Sequence, residues 1–304
     1  RVQRFFAEVN LSADIAAQFI YDRLPVEKIE LVMDRTNWLL AGRNINILYV
    51  AVIYEGVAIP IMWMLLDKKG NSNTDERIEL MNRFKKILTF NKVQSILADR
   101  EFIGQKWFSY LHDNNIKIRI RTTESTHIEK RHGGSAPAKN FGRALAIGEY
   151  IQLSGKRTVW GLKMYVTIMR LETEYLIILS MDNSKSMEIL KDYGKRWQIE
   201  TLFRALKSKG FNLEEMNLTH IERIENLITL LSISFCWAYL SGLYENEKNP
   251  IKIKAHKRKL FSLFRYGLNA LKEILCCLDR CFDVRFGKFV ELLKNTYQHP
   301  KLLL

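Results

Sequence analysis

The sequence predicts an α/β chain built on a mixed sheet, and three observations carry that expectation. Between Lys28 and Arg121, apolar runs alternate with stretches at helical spacing in the order strand, strand, strand, helix, strand, helix, strand. A hydrophobic content of 47%, with 11% aromatics, is ample for a packed core. Only 5 prolines and 15 glycines in 304 residues exclude collagen-like or low-complexity behaviour. In such an order adjacent antiparallel strands come first, and helical crossovers then add parallel ones.

Residues 1–27 read as short helices, the tail of a domain that starts upstream; Arg1 is not an initiator methionine and nothing here resembles a signal peptide. Ile29 to Met33 is a short apolar strand ending at Asp34. The 20 residues from Ile47 to Leu66 are too interrupted for a membrane span, by Glu55-Gly56 and Pro60, and predict two buried strands joined by a tight turn. Asn73 or Thr74 caps a helix through about Phe90, with Ile78, Met81, Phe84, Ile87 and Leu88 at helical spacing. Val93 to Ala98 is a buried strand ending at Asp99, followed by a helix from about Ile103 to His112. Ile116 to Arg121 alternates apolar and basic residues, which predicts one buried and one cationic face.

Farther on, residues 123–149 have no strong periodicity, and His132-Gly133-Gly134-Ser135 and Pro137 give them the look of a loop. Tyr150 to Met181 is strand-rich, with turns near Ser154-Gly155 and Glu172-Thr173-Glu174. Ser184 to about Gly210 reads as one helical stretch, and everything after it as helical. Leu227 to Tyr244 holds 18 residues without a charge, but its threonine and serines suit a core helix better than a membrane span. Cys236, Cys276, Cys277 and Cys281 lack zinc-ligand spacing and read as apolar packing in a reducing cytoplasm. The six histidines form no cluster.

Charge points to a partner class. With 47 basic against 33 acidic residues the net charge is +14, so a polyanion is expected, nucleic acid before an anionic membrane. Lys252, Lys254, Lys257, Arg258, Lys259 and Arg265 form a cationic stretch without an acid between them. Such a segment suits contact with DNA phosphates, with a steep salt dependence.

Asp34 and Asp99 each follow an apolar strand, a position from which a carboxylate can face solvent while its strand stays buried. In the run from Tyr193, the residues Tyr193, Arg196, Glu200 and Lys207 are spaced by three, four and seven. At about 100° per residue they fall within roughly 60° on one helix face. Ile199, Leu202, Phe203 and Leu206 occupy the neighbouring face. Taken alone, this helix is a solvated face with an ordinary Arg–Glu pair.

The combination reads differently. Asp34-Arg35-Thr36, Ala98-Asp99-Arg100-Glu101-Phe102 and Y-x2-R-x3-E-x6-K at Tyr193, Arg196, Glu200 and Lys207 closely resemble the DDE transposases of the insertion-sequence-four family, whose YREK signature is the last pattern. The resemblance runs from about residue 28 to the C-terminus and includes Gly70-Asn71-Ser72 and the stretch Ser262 to Leu268. It implies a ribonuclease-H-like core at 28–122 and 183–210, a β-rich insertion at 123–182 and a helical C-terminal region at 211–304. Residues 1–27 would then be the helical remnant of an N-terminal DNA-binding region.

The resemblance also implies a chemistry. Moving a phosphodiester requires neutralising charge on the phosphoryl oxygens and activating an oxygen nucleophile, which two divalent cations about 4 Å apart can do. Asp34, Asp99 and Glu200 are the implied catalytic metal ligands, a hard oxygen set suited to two Mg²⁺ ions, with Mn²⁺ as substitute. Tyr193, Arg196 and Lys207 are the implied phosphate contacts, and Trp160 a candidate for stacking on an extruded base. The implied partners are double-stranded DNA, as terminal inverted repeats and target, and a second copy of the chain in a synaptic homodimer. No membrane is implied, and the location is the bacterial cytoplasm, on the nucleoid. The competing expectation is a catalytically decayed or regulatory copy that binds DNA without cutting it.

Overall fold

The computed structural model describes residues 2–24, 26–40, 43–215, 218, 220–255, 257, 259–276 and 282–295. Its architecture grows outward from β1 (Ile29–Leu40), which pairs antiparallel with β2 (Arg43–Tyr54) from Leu31↔Val52 to Leu40↔Arg43. β2 turns into β3 (Val57–Leu65) through Glu55 and Gly56, at φ +46° and +84°. That is the left-handed pair a two-residue hairpin needs to match strand twist. On its other side β1 pairs parallel with β4 (Val93–Ala98), and β4 pairs parallel with β5 (Lys117–Thr122).

Two helices make the crossovers. α3 (Thr74–Ile87) precedes β4 and starts in a capping box, in which Asn73 accepts from the Glu76 amide and Glu76 from the Asn73 amide. α4 (Gln105–Asp113) joins β4 to β5 and buries Trp107, Phe108 and Leu111. The resulting order, β3-β2-β1-β4-β5, is that of a ribonuclease-H-like core.

The sheet does not stop at β5. β11 (Tyr175–Ser180) pairs antiparallel with β5, β10 (Leu162–Arg170) with β11, and β8 (Tyr150–Gln152) with β10. β9 (Arg157–Val159) folds back on the start of β10. β6 (His127–Glu129) and β7 (Ser135–Pro137) form a separate hairpin inside the stretch that reads as a loop in the sequence. Segment 123–182 thus extends the core sheet as well as adding to it.

Three local expectations need correcting. β1 does not end at Asp34 but runs on to Leu40, because β2 continues to pair with it after β4 has left. The cationic face of β5 is exposed at Lys117 but largely paired with acids beyond it. Arg119 is buried there, its guanidinium held by both carboxylate oxygens of Asp182 and by Ser184, and Arg121 pairs with Glu174 at 2.5 Å. Finally, the helix expected from 184 to 210 is divided into α5 (Ser186–Gly194), a 3₁₀ turn (Lys195–Trp197) and α6 (Gln198–Lys207). Lys195 ties that turn to the start of β1, at 2.6 Å from Glu30, and to Asp192 at 3.0 Å.

Helices complete the core. α1 (Val2–Glu8) leads to α2 (Ala13–Tyr21), which buries Ala16, Ala17 and Ile20 in the common core, packing on β3. Asn226 on α7 (Ile221–Lys248) holds both the Leu11 amide and the Val9 carbonyl. Among the described residues α7 alone is long and apolar enough to cross a membrane by length and composition, yet 67% of its apolar window is buried within the protein. α8 (Leu263–Cys276) and α9 (Phe282–Lys294) follow, but the described residues between 249 and 262 form no helix and hold one isolated bridge, Ile253–Lys259, so the chain beyond 210 is not helical throughout.

α7 and α8 cross at two glycines. A methyl group on Gly242 would lie 1.9 Å from the Leu263 carbonyl oxygen, and one on Gly267 would lie 1.9 Å from that of Ala238. Backbone cannot yield as a side-chain tip does, so the helices would have to separate. Gly242→Ala and Gly267→Ala are each expected to destabilise the protein by roughly 3 kcal/mol or more in chemical denaturation. Gly287→Ala on α9, with nothing near the added methyl, is expected to be neutral or stabilising by up to about 1 kcal/mol. Equal effects at all three positions would contradict the crossing.

Candidate active site

The register of β1 and β4 creates the site. Their parallel pairing ends at Met33↔Ala98, so the next residues, Asp34 and Asp99, emerge from adjacent strands at the same level. Each turns its Oδ1 back onto the following amide, Asp34 to Arg35 at 2.8 Å and Asp99 to Arg100 at 2.7 Å. Both side chains are thereby oriented by their own backbone. Glu200 arrives from the first turn of α6, whose Ile199, Leu202, Phe203 and Leu206 are buried against the sheet. Phe203 packs on Tyr49 of β2, with ring centroids 5.7 Å apart.

Arg196, on the 3₁₀ turn, joins these parts. Its Nη1 lies 2.9 Å from Asp34 Oδ2 and 3.9 Å from Glu200 Oε1, and its Nε is buried with no hydrogen-bond partner. Burial pulls the guanidinium pKa down, but Tyr193, Asp34, Asp99 and Glu200 outweigh it and hold the group protonated. Asp34 shows the reverse outcome. Burial pushes its carboxyl up to about 7; Arg196 and the Arg35 amide pull it down, while Glu101 and Glu200 add to the rise. Desolvation therefore exceeds the help one arginine gives.

Asp34, Asp99, Arg196, Glu200 and Lys207 line one open cleft of about 410 Å³, together with Thr36, Asn37 and Arg204. Lys207 donates from Nζ to the Asn37 carbonyl at 2.8 Å and lies 5.7 Å from the Trp38 ring. Tyr193 is near Arg196 and Asp99 but is buried among Ile178 and Ile189, and burial pushes its hydroxyl well above the ordinary phenol value. Trp160 is outside the cleft lining. It occupies the turn between β9 and β10 at φ +46°, half-buried, with its ring edge-on to Phe108 of α4 at 5.6 Å. Lys254 and Lys257 are exposed on the loop after α7, and Arg258 lies outside the described residues.

Three arginines support the cleft without an obvious sequence signal. Arg77, buried on α3, donates to Ser72 Oγ at 2.9 Å and to the Glu101 carbonyl at 2.8 Å, and lies 5.0 Å over the Phe102 ring. It binds the loop after Asp99 to the Gly70-Asn71-Ser72 segment. Arg35 bonds Asn46 at 3.0 Å and pairs with Glu101 at 3.3 Å, and Asn46 in turn holds the carbonyls of Lys68 and Gly70. Arg204 lines the cleft one turn beyond Glu200, a spacing that could have drawn attention to it.

The donor chemistry suits a hard divalent cation: two aspartates and a glutamate face one solvent-open cleft. Among the described residues, no three acidic, histidine or cysteine side chains converge closely enough to hold an ion in common, and Arg196 lies 2.9 Å from Asp34.

Against known families, the model described as "Transposase DDE domain" matches residues 27–237. The chain belongs to this family. The match takes in β1 through α6 and most of α7, so every residue lining the cleft lies inside the DDE domain, while α8 and α9 lie beyond it. A comparison with curated proteins returns no match. One similar solved structure is the cryo-EM structure of a piggyBac transposase synaptic complex with hairpin DNA, at 11% identity and a TM-score of 0.45. The similarity covers 89% of the present chain and 58% of that one.

The raised Asp34 value has a consequence for stability. A carboxyl whose folded pKa, about 7, lies above its unfolded value of 3.8 stabilises the fold fully below the unfolded value, and that contribution is lost as pH rises through 7. In chelator-treated DDE-domain protein, the loss between pH 5 and pH 8 is expected to be on the order of 2 kcal/mol. Asp34→Asn should remove that part of the pH dependence in urea denaturation. A variant as pH-sensitive as the wild type would contradict the assignment.

Proposed function

We propose that this DDE-domain protein is an active transposase of the YREK type, resembling the insertion-sequence-four family, that cuts DNA at the ends of its element and joins the freed ends to a target. The observation that carries the reading is the cleft itself, where Asp34, Asp99 and Glu200 meet Arg196 and Lys207 on one surface. A nuclease acting on phosphodiesters needs that mixture of oxygen donors and cations.

Asp34, Asp99 and Glu200 would hold the divalent ions, two Mg²⁺ with Mn²⁺ as substitute. When bound, such ions stabilise charge on the phosphoryl oxygens and activate the attacking oxygen. Within the chain, Arg196 is positioned to meet a phosphate oxygen through a guanidinium that its neighbours keep charged. Lys207 and Arg204 add positive charge along the same wall. Buried Tyr193 acts by orienting Arg196 from below, a role that fits its position better than direct contact with DNA.

The chemistry runs in two displacements at phosphorus. Water attacks the phosphodiester at the element end, a P–O bond forms as the P–O3′ bond breaks, and the strand leaves with a 3′-hydroxyl. That hydroxyl then attacks a target phosphate: it gives up its proton, its oxygen bonds to phosphorus as the target's P–O3′ bond breaks, and the departing target 3′-oxygen takes up a proton. A cut-and-paste route follows if both strands are released before joining. Element ends and target would both be double-stranded DNA, the working form a synaptic homodimer, and the setting the bacterial nucleoid.

The test is cleavage of end-labelled duplex carrying the element's own terminal repeat, with Mg²⁺ or Mn²⁺, by wild type and by Glu200→Gln. Cation-dependent 3′-hydroxyl ends from the wild type are expected, with a loss of at least about 10³-fold in the variant and DNA binding retained. Binding without any cut by the full-length wild type would instead point to a decayed or regulatory copy.

A further inference from the structure

We infer that the DNA strand flanking the scissile phosphate leaves the cleft through a second, basic groove between the end of α6 and α8, which grips its phosphate backbone. This rests on the transposase reading and extends it to residues outside the family match. The groove encloses about 640 Å³ and is lined by Arg204, Ser208, Lys209, Arg265 and Lys272, with exposed Phe261 at its lip. Arg204 and Ser208 line the catalytic cleft as well, so one surface continues into the other.

Charge identifies the occupant. Four cations line the groove and, among its described lining residues, there is no acid. Several other arginines and lysines, among them Arg35, Arg83, Arg119, Arg121, Lys163 and Lys195, pair with acids, so what sets the groove apart is that four cations converge on it without an acid. Among the described residues Arg204, Lys209, Arg265 and Lys272 are all exposed, and no ion pair to a carboxylate involves them. A row of uncompensated cations beginning at a site for phosphodiester chemistry is the footprint of a polyphosphate backbone.

The groove is also held in shape before anything binds. Arg265 Nη1 donates to the Lys209 carbonyl at 3.0 Å, which pins the end of α6 to α8. Phe264 stacks on Phe235 of α7 at 4.7 Å, and its ring would be 2.9 Å from a methyl group on Gly210. Lys209 and Lys272 are therefore carried on fixed walls.

The experiment is the salt dependence of binding to a labelled random-sequence duplex, read by fluorescence anisotropy. Lys209→Gln/Lys272→Gln is expected to reduce the slope of log K against log salt by roughly 2, about 0.9 for each phosphate no longer neutralised. Lys209→Arg/Lys272→Arg should restore it. Lys85→Gln/Lys86→Gln on α3, which removes the same charge from exposed positions, should leave the slope unchanged. If the wild type binds and the groove variant keeps the wild-type slope, the groove is overturned and the transposase reading stands. If the wild type binds no DNA, both fall.

Discussion

The Asp34 carboxyl is buried at the end of a strand pairing beside Glu101 and Glu200, and much of this structure bears on how that burial is offset. Parallel pairing of β1 and β4 delivers Asp34 and Asp99 to one level, and α6 brings Glu200 to the same cleft. Arg196 is the nearest cation, at 2.9 Å from Asp34 and 3.9 Å from Glu200. At such distances a pair of unit charges attracts by about 4 kcal/mol at an effective dielectric of 20. Burying a carboxylate costs a comparable amount, several kcal/mol per ion. The balance at Asp34 falls on the side of burial, since its carboxyl titrates near 7 despite the arginine. The cleft therefore sets three carboxylates, Asp34, Asp99 and Glu200, among the cations Arg35, Arg196, Arg204 and Lys207.

The scaffold around the cleft serves to keep these groups from relaxing apart. The 3₁₀ turn that carries Arg196 is tied to β1, the strand bearing Asp34, by Lys195 and Glu30. Arg77 does the same for the loop after Asp99, through Ser72 and the Glu101 carbonyl. On the far side, close crossing of α7 and α8 at Gly242 and Gly267 fixes the wall from which Arg265 and Lys272 project. Cleft and groove are thus parts of one rigid basic surface with a patch of carboxylates at its centre.

How much of this was legible in the sequence depended on how local the cause was. Val93–Ala98 is bounded by its own polar neighbours and by a charged residue at its end, and the strand matches its expectation residue for residue. Asn73 and Glu76 close a capping box within four residues, and α3 begins where its sequence says. The extension of β1 past Asp34 has no local signal, because Arg35-Thr36-Asn37 lack alternation and only pairing with β2 keeps them extended. The 3₁₀ turn that breaks the 184–210 helix carries Lys195, whose partner Glu30 is 165 positions away. The cationic face of Arg119 and Arg121 was legible from alternation, but not its pairing with Asp182 and Glu174, 63 and 53 positions away. For the site, the three carboxylates, Arg196 and Lys207 were legible through their motifs and do share a cleft. Trp160 was not, since an aromatic in a tight turn reads the same whether it meets a base or, as here, Phe108.

The central claim is that Asp34, Asp99 and Glu200 act together as one cation site even though Arg196 occupies part of it at rest. Binding of Mn²⁺ to the DNA-free protein, followed by electron paramagnetic resonance, tests this without relying on activity. Asp34→Asn, Asp99→Asn and Glu200→Gln are each expected to weaken Mn²⁺ binding by at least about 10-fold. Wild-type affinity in all three variants would contradict the account.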